Sequence, residues 1–160
     1  MSAPTPPHLA PTDAEVQAAL AASRVLVHIA ARSIAPIDEV VTLPQYRLLL
    51  HLYDESRSGT QLAADLGVNP STVVRMADRL ETKGLLQRRR RPTDRRVAEL
   101  ELTTSGRELI DGVTERRIQG LRTALTTLTP EQRAGLTEHL ALLRADDIAD
   151  PSTDDEAWPL

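Results

Sequence analysis

Nine basic side chains fall between Val68 and Val97: Arg75, Arg79, Lys83, Arg88, Arg89, Arg90, Arg91, Arg95 and Arg96. Only Asp78, Glu81 and Asp94 oppose them, so this segment carries +6 in a chain whose net charge is −4, and the remainder must hold −10. A run of charge is ordinarily just a solvated face. A local excess of one sign shared by a helix and a hairpin is instead the footprint of a polyanion partner.

The helix in that segment sorts its residues by side. With Ser71 set at 0° and ~100° per residue, Met76, Leu80, Val73 and Ala77 fall between ~140° and ~240°. Thr72, Arg75, Arg79 and Thr82 fall between ~20° and ~100°. One side suits a core, and the other offers hydroxyls and guanidiniums. A helix of this size fits the B-DNA major groove, where an arginine bonds both acceptors of guanine. Ser71, Thr72, Arg75 and Arg79 are therefore the candidate readers of DNA. Arg88 to Arg91 follow as four consecutive cations, and strand alternation sends two to each face. Arg95 and Arg96 sit at the tip of a turn, placed with Arg91 to meet the narrow, strongly negative minor groove. Asp94 is a poor neighbour for a phosphate and reads as an internal brace for a wing arginine.

These residues need elements to hold them. Thr60 to Leu66 predicts a short helix closed by Gly67, and Ala63 and Val73 fill the angle between it and the next helix. Asn69 caps that next helix, with Pro70 at its first position and Lys83-Gly84 at its end near Thr82. Leu85 to Arg91 and Arg96 to Leu102 flank Pro92-Thr93-Asp94-Arg95 and read as a hairpin, with Ala98, Leu100 and Leu102 alternating against Glu99 and Glu101. Upstream, Thr12 with Glu15 opens a helix that Pro36 stops, its apolar stripe running from Val16 and Leu20 through Leu26 and Val27 to Ile34. Thr42 with Gln45 opens another, expected to reach about Ser56. Downstream, Thr103 or Ser105 caps a long helix, and Thr129-Pro130-Glu131-Gln132 opens a last one to about Ala145.

Composition narrows the class. The chain has 160 residues, no cysteine and no phenylalanine, with Tyr46, Tyr53 and Trp158 its only aromatics and 24 leucines. A core of Leu, Val, Ile and Ala favours packed helices over sheets. Without cysteine there is no disulfide, thiolate metal site or thiol nucleophile. The histidines at 8, 28, 51 and 139 have no ligand-like spacing, so neither a metal site nor a cofactor is expected. No Ser/His/Asp arrangement, phosphate loop or apolar carboxylate pair suggests an enzyme. Apolar runs are only a few residues long, so no membrane span is expected. Met1 to Pro11 lacks the basic and apolar regions of a signal peptide, which makes the cytoplasm the expected location.

The expected architecture is mostly α with a small β-hairpin wing: a winged helix-turn-helix flanked by N- and C-terminal dimerisation helices. Residues 1–11, rich in proline, form a disordered lead. Residues 12–145 form a single domain, with 43–102 its winged part and 12–34 and 105–145 its dimerisation helices. Residues 146–160 form an acidic disordered tail that solubilises the protein or competes with DNA for the basic face. The flanking helices carry apolar stripes with little winged domain to cover, and a two-fold dimer is the commonest answer.

From about Leu43 to Leu109 the sequence resembles the MarR family of bacterial transcriptional regulators. The resemblance rests on Leu43-Pro44-Gln45, Leu66-Gly67-Val68-Asn69-Pro70-Ser71-Thr72-Val73, Asp78-Arg79-Leu80-Glu81, Lys83-Gly84-Leu85, Asp94-Arg95-Arg96 and Leu102-Thr103-Thr104-Ser105-Gly106-Arg107. It implies a homodimer gripping a pseudo-palindrome in double-stranded DNA, and repression relieved by a small, often anionic aromatic, ligand. Such an effector would lie where the dimer helices meet the winged domain, and His28, Arg32, Tyr46, Tyr53 and Arg116 are the candidates on those helices. The chain lacks the cysteine of the peroxide-sensing branch and the Trp and acidic positions of the urate-responsive branch, which leaves the ligand class open. A winged helix also serves as a protein-interaction or architectural DNA-binding module without a ligand, a use that would leave the Arg75/Arg79 face dispensable.

Overall fold

The computed structural model describes residues 10–90 and 98–142. All but the last two residues of the proline-rich lead, the hairpin tip at 91–97 and the acidic tail lie outside them. Helix α1 spans Asp13–Ile34, followed by a 3-10 turn at Ala35–Ile37 where Pro36 ends the α-helical hydrogen bonding. The winged part then runs α2 (Leu43–His51), β1 (Arg57–Ser58), α3 (Gly59–Leu66), α4 (Pro70–Thr82), β2 (Leu86–Arg90) and β3 (Ala98–Leu102), and leads into α5 (Thr104–Leu125) and α6 (Pro130–Leu140). The described residues divide into two compact units, one ending at Leu121 and the other beginning at Arg122.

Capping fixes where most helices begin. Thr12/Glu15, Thr42/Gln45 and Thr129/Gln132 each form the reciprocal pair in which the hydroxyl accepts from a backbone N–H and the longer side chain answers the cap's own N–H. Ser58 does the same with Gln61, so α3 starts at Gly59, one residue ahead of the expected Thr60. Asn69 occupies the cap position of α4, yet its side chain makes no capping hydrogen bond, contrary to expectation. Its carbonyl instead accepts the Thr72 and Val73 N–H groups, and Pro70 has no N–H to satisfy.

Helix α2 stops at His51, short of the expected Ser56. Leu52 leaves helical geometry at φ −99°, ψ 2°, while its side chain is buried. The chain must turn here to deliver β1, a two-residue strand the sequence did not announce. β1 pairs antiparallel with β3, giving a three-stranded sheet in the order β1-β3-β2. In the hairpin Leu86 faces Leu102 and Arg88 faces Leu100. Leu100 and Leu102 are buried, as the alternation predicts. The core joins Leu48, Leu49 and Leu52 of α2 to Leu62 of α3, Val73 and Leu80 of α4, the inner leucines of the sheet, and Ile110 and Val113 of α5.

Helix α1 is different. Val16, Leu20, Val25, Leu26 and Val27 are 42–66% exposed. The segment Asp13–Ile37 is long and apolar enough, by length and composition alone, to cross a membrane. The expectation from short apolar runs missed this because seven alanines spread through α1 raise its mean hydropathy without forming one run. In the second unit α6 ends at Leu140, earlier than the expected Ala145, and Arg133 donates to the carbonyls of Leu125 and Leu128.

Gly106, in the first turn of α5, is pressed against the Leu85 backbone: an added Cβ would run into the Leu85 carbonyl oxygen, a neighbour that cannot rotate away. Gly135 in α6 has nothing within 4 Å of the same position. Gly106→Ala is expected to cost about 1–3 kcal/mol by overpacking, whereas Gly135→Ala should gain about 0.5–1 kcal/mol from helix propensity. Chemical unfolding of both variants beside the parent checks the opposite signs.

Candidate nucleic-acid interface

The turn between α3 and α4 forces the geometry. Gly67 adopts φ 65°, ψ 35°, a left-handed conformation that costs a residue with a Cβ about 1–2 kcal/mol. The Val68 N–H returns to the Ala63 carbonyl at 3.0 Å, closing α3. Ala63 and Val73 are buried where the two helices approach, in the places expected of them. Helix α4 then divides as the projection predicts: Val73, Ala77 and Leu80 are buried and Met76 half-buried, while Ser71, Arg75, Arg79 and Thr82 are exposed. Thr72 is half-buried and accepts a hydrogen bond from Arg75 Nη2 at 3.3 Å, which steadies that guanidinium over the outward face.

The hairpin arginines do not act alike. Arg88 turns toward α4 and donates through Nη2 to Asp78 Oδ1 at 2.5 Å and through Nη1 to Glu81 Oε2. The Asp78 hydrogen bond, helped by the charge of Glu81 and opposed by burial, holds the guanidinium still more firmly protonated than usual. Arg89 lies 3.7 Å from Glu101, which also accepts from Gln87 at 2.7 Å. Neighbouring arginines thus meet acids on different elements, as a strand requires. The residues expected at the wing tip, Arg91, Arg95 and Arg96 with the brace Asp94, lie outside the described residues. The brace that is described is Arg88 with Asp78 and Glu81, a pairing that sequence reasoning missed although the strand phase of Arg88 opposite Leu100 pointed inward.

The effector candidates separate into two places. Tyr46 is buried on α2; that burial raises its phenol pKa, against the lowering charges of Arg117 and Arg116 on α5. Arg116 Nε donates to the Ser33 carbonyl at 2.9 Å, at the end of α1. Arg117 was not singled out from the sequence, yet its Nε is buried without a hydrogen-bond partner. Tyr53 sits elsewhere: its hydroxyl donates to Asp111 at 2.6 Å, and Arg107 lies 5.6 Å above its ring while donating to its carbonyl at 2.7 Å. The Asp111 hydrogen bond and then the Asp111 charge raise the Tyr53 phenol, against the lowering charge of Arg107. His28 and Arg32 lie on the exposed side of α1.

Both tyrosines of the chain therefore hold their protons more tightly folded than unfolded. A raised folded pKa means that this stabilisation is complete below the ordinary tyrosine value of about 10 and is lost as pH rises through the folded values. An ultraviolet titration of the native protein should show no phenolate forming with an ordinary midpoint, and Tyr53→Phe should flatten the alkaline loss of stability. A native phenol with an ordinary midpoint would contradict this.

Comparison with known proteins adds an independent finding. The family model described as MarR family matches residues 41–98. An uncharacterised HTH-type transcriptional regulator, YdgJ of Bacillus subtilis, is 32% identical over 97 residues, covering 61% of this chain and 58% of that protein. The HTH-type transcriptional repressor MdtR of the same organism is 39% identical over 85 residues, 51% of this chain and 55% of MdtR. The chain thus spans little more than half the length of these curated relatives. The crystal structure of RV1404 from Mycobacterium tuberculosis superposes with a TM-score of 0.70 at 39% identity, covering 83% of this chain and 92% of that one.

Proposed function

The chain belongs to the MarR family of transcriptional regulators, and on that premise we propose that it is a homodimeric repressor that reads a pseudo-palindromic operator and releases it on binding a small anion. The observation that carries this reading is the division of α4. Its core side is consumed by Val73, Ala77 and Leu80, and its other side offers Ser71, Arg75 and Arg79 to solvent beside the half-buried Thr72, which already holds Arg75. In the proposal those four residues meet the major groove. Arg91, Arg95 and Arg96 reach the minor groove with Asp94 as their brace. In this reading the protein acts on chromosomal DNA, in the cytoplasm.

The exposed face of α1 supports the dimer. Five large apolar side chains, Val16, Leu20, Val25, Leu26 and Val27, face solvent on one helix, and residues 12–34 and 105–145 of two copies would cover one another. This accounts for the hydropathy of α1 without a bilayer, in keeping with Arg24 at its middle. The neighbourhood of Tyr46, Arg116 and Arg117 supports an anionic effector, since two guanidiniums there act on a buried phenol and one has an unpaired donor. His28 and Arg32 stay in the proposed effector set as residues of α1, and Tyr53 stays in it from the turn after α2, apart from Tyr46.

The intact chain should show a dimeric mass by light scattering at micromolar concentration; a monomer would overturn the dimer. Arg75→Ala should weaken operator binding by ~1–3 kcal/mol and relax preference at one base position. Equal losses on operator and random DNA would favour an architectural module instead. A panel of aromatic carboxylates, titrated at fixed ionic strength because salt alone releases DNA, should lower operator affinity roughly 5- to 150-fold. No response across the panel would remove the effector from the proposal.

A further inference from the structure

Asp78 and Glu81 are a puzzle on a helix proposed to approach DNA. They lie one turn apart, at ~340° and ~280° when Ser71 is at 0°, on the flank between the buried side of α4 and the Arg75/Arg79 side. Two carboxylates beside a phosphate backbone repel it. Arg88 of β2 reaches across and binds both. Beneath it α4 and the sheet do not close: a cleft of about 160 Å³ remains, lined by Val73, Val74, Ala77, Arg88 and Leu100 among others. Val74 is still 52% exposed at its edge. Val73, Ala77 and Leu80 pack on the sheet leucines at the inner side of α4, and at the solvent edge of this flank the ionic contact is what spans helix and wing.

We propose that Arg88, Asp78 and Glu81 form a positioning clamp that fixes the angle of α4 to the wing, so that helix and wing engage neighbouring grooves together. The inference rests on the DNA-reading function proposed above. Arg88 acts through the two carboxylates and not as a phosphate contact. Lysine cannot replace it, because a point charge does not fork to two acids as the planar guanidinium does. A partly exposed ion pair adds little stability, so the clamp is expected to be felt in specificity more than in melting temperature.

The sign of one substitution separates this from plain electrostatics. Asp78→Asn with Glu81→Gln removes two negative charges near DNA, so electrostatics alone predicts tighter binding everywhere. The clamp predicts roughly 5- to 10-fold weaker binding to a duplex selected by the wild-type protein from a random library, with binding to a scrambled duplex unchanged or tighter. Arg88→Gln should weaken the selected duplex similarly. Its salt slope should stay that of the wild type, whereas loss of a phosphate contact lowers it by ~0.9. Combining the changes should cost no more than either alone. Circular dichroism of each variant confirms folding, and if the double acid variant fails to fold, Asp78→Asn alone carries the same sign test. Tighter binding of the selected duplex by the acid variants, or a salt slope reduced by about one in Arg88→Gln, overturns the clamp. A wild-type protein that retains no DNA overturns the functional reading itself, and the clamp with it.

Discussion

The described part of the wing is tied to α4 and α5 at one joint, where the turn after α4 meets the turn before α5. Gly84 takes φ 67° there, ending α4 in a left-handed conformation. Thr103 donates its hydroxyl to the Gly84 carbonyl at 2.6 Å and its N–H to the Leu85 carbonyl at 3.2 Å. The same hydroxyl accepts from the Gly106 N–H at 3.1 Å, capping α5. Gly106 supplies the room, since any Cβ would strike the Leu85 backbone. Within a few residues the end of α4, the roots of β2 and β3 and the start of α5 are therefore tied to one threonine. Lys83, at the cap position of α4, donates to the Val40 carbonyl and ties the loop before α2 to the same end of the helix.

The joint explains how an acidic protein presents a basic surface. With the C-terminal end of α4 fixed against the wing root, Arg88 falls opposite Asp78 and Glu81 and answers both acids of that helix. Arg75 and Arg79 then project from a helix whose own negative charges are already paired. The net charge of −4 says nothing of this, because it averages over residues that never share a surface. The same averaging hid α1, whose apolar residues are dispersed along 22 positions yet gather on one helix.

What could be read from the sequence was local. The capping pairs at Thr12, Thr42 and Thr129 are three-residue patterns whose energetics are complete in themselves, and the left-handed turn at Gly67 needs only one residue type. The buried side of α4 followed from periodicity. What could not be read depended on partners distant in the chain. β1 exists because Arg57 and Ser58 pair with Leu100 and Glu99, some forty residues on, and Arg-Ser carries no strand preference. Arg57 is held there by Glu55 and Asp65 at 2.8 and 2.7 Å. α2 ends early for the same reason: its apolar pattern continues through Leu52 and Tyr53, but the sheet needs the chain elsewhere. Arg88 and Arg117 look like their arginine neighbours in sequence, and only tertiary position separates a bound guanidinium from one with an unpaired donor.

The proposed response to an anion acquires a direction from these contacts. Arg116 stands about 15 Å along α5 from Gly106, at 1.5 Å per residue, so one continuous helix connects the Tyr46 neighbourhood to the joint that holds the wing. A ligand shifts the protein only through its difference in affinity between two states. In this arrangement Arg116 is engaged by the Ser33 carbonyl, whereas the Arg117 Nε is unpaired. An anion that satisfies Arg117 where it stands gains a hydrogen bond without breaking one, and so stabilises this arrangement of α2 against α5. An anion that draws Arg116 away forfeits the bond to Ser33 and removes one tie between the end of α1 and α5. Both ligands would carry the same charge and touch the same helix, yet they would move the equilibrium in opposite directions. Under the proposed function, the sign of regulation would follow which of two adjacent arginines the ligand recruits, and not its charge.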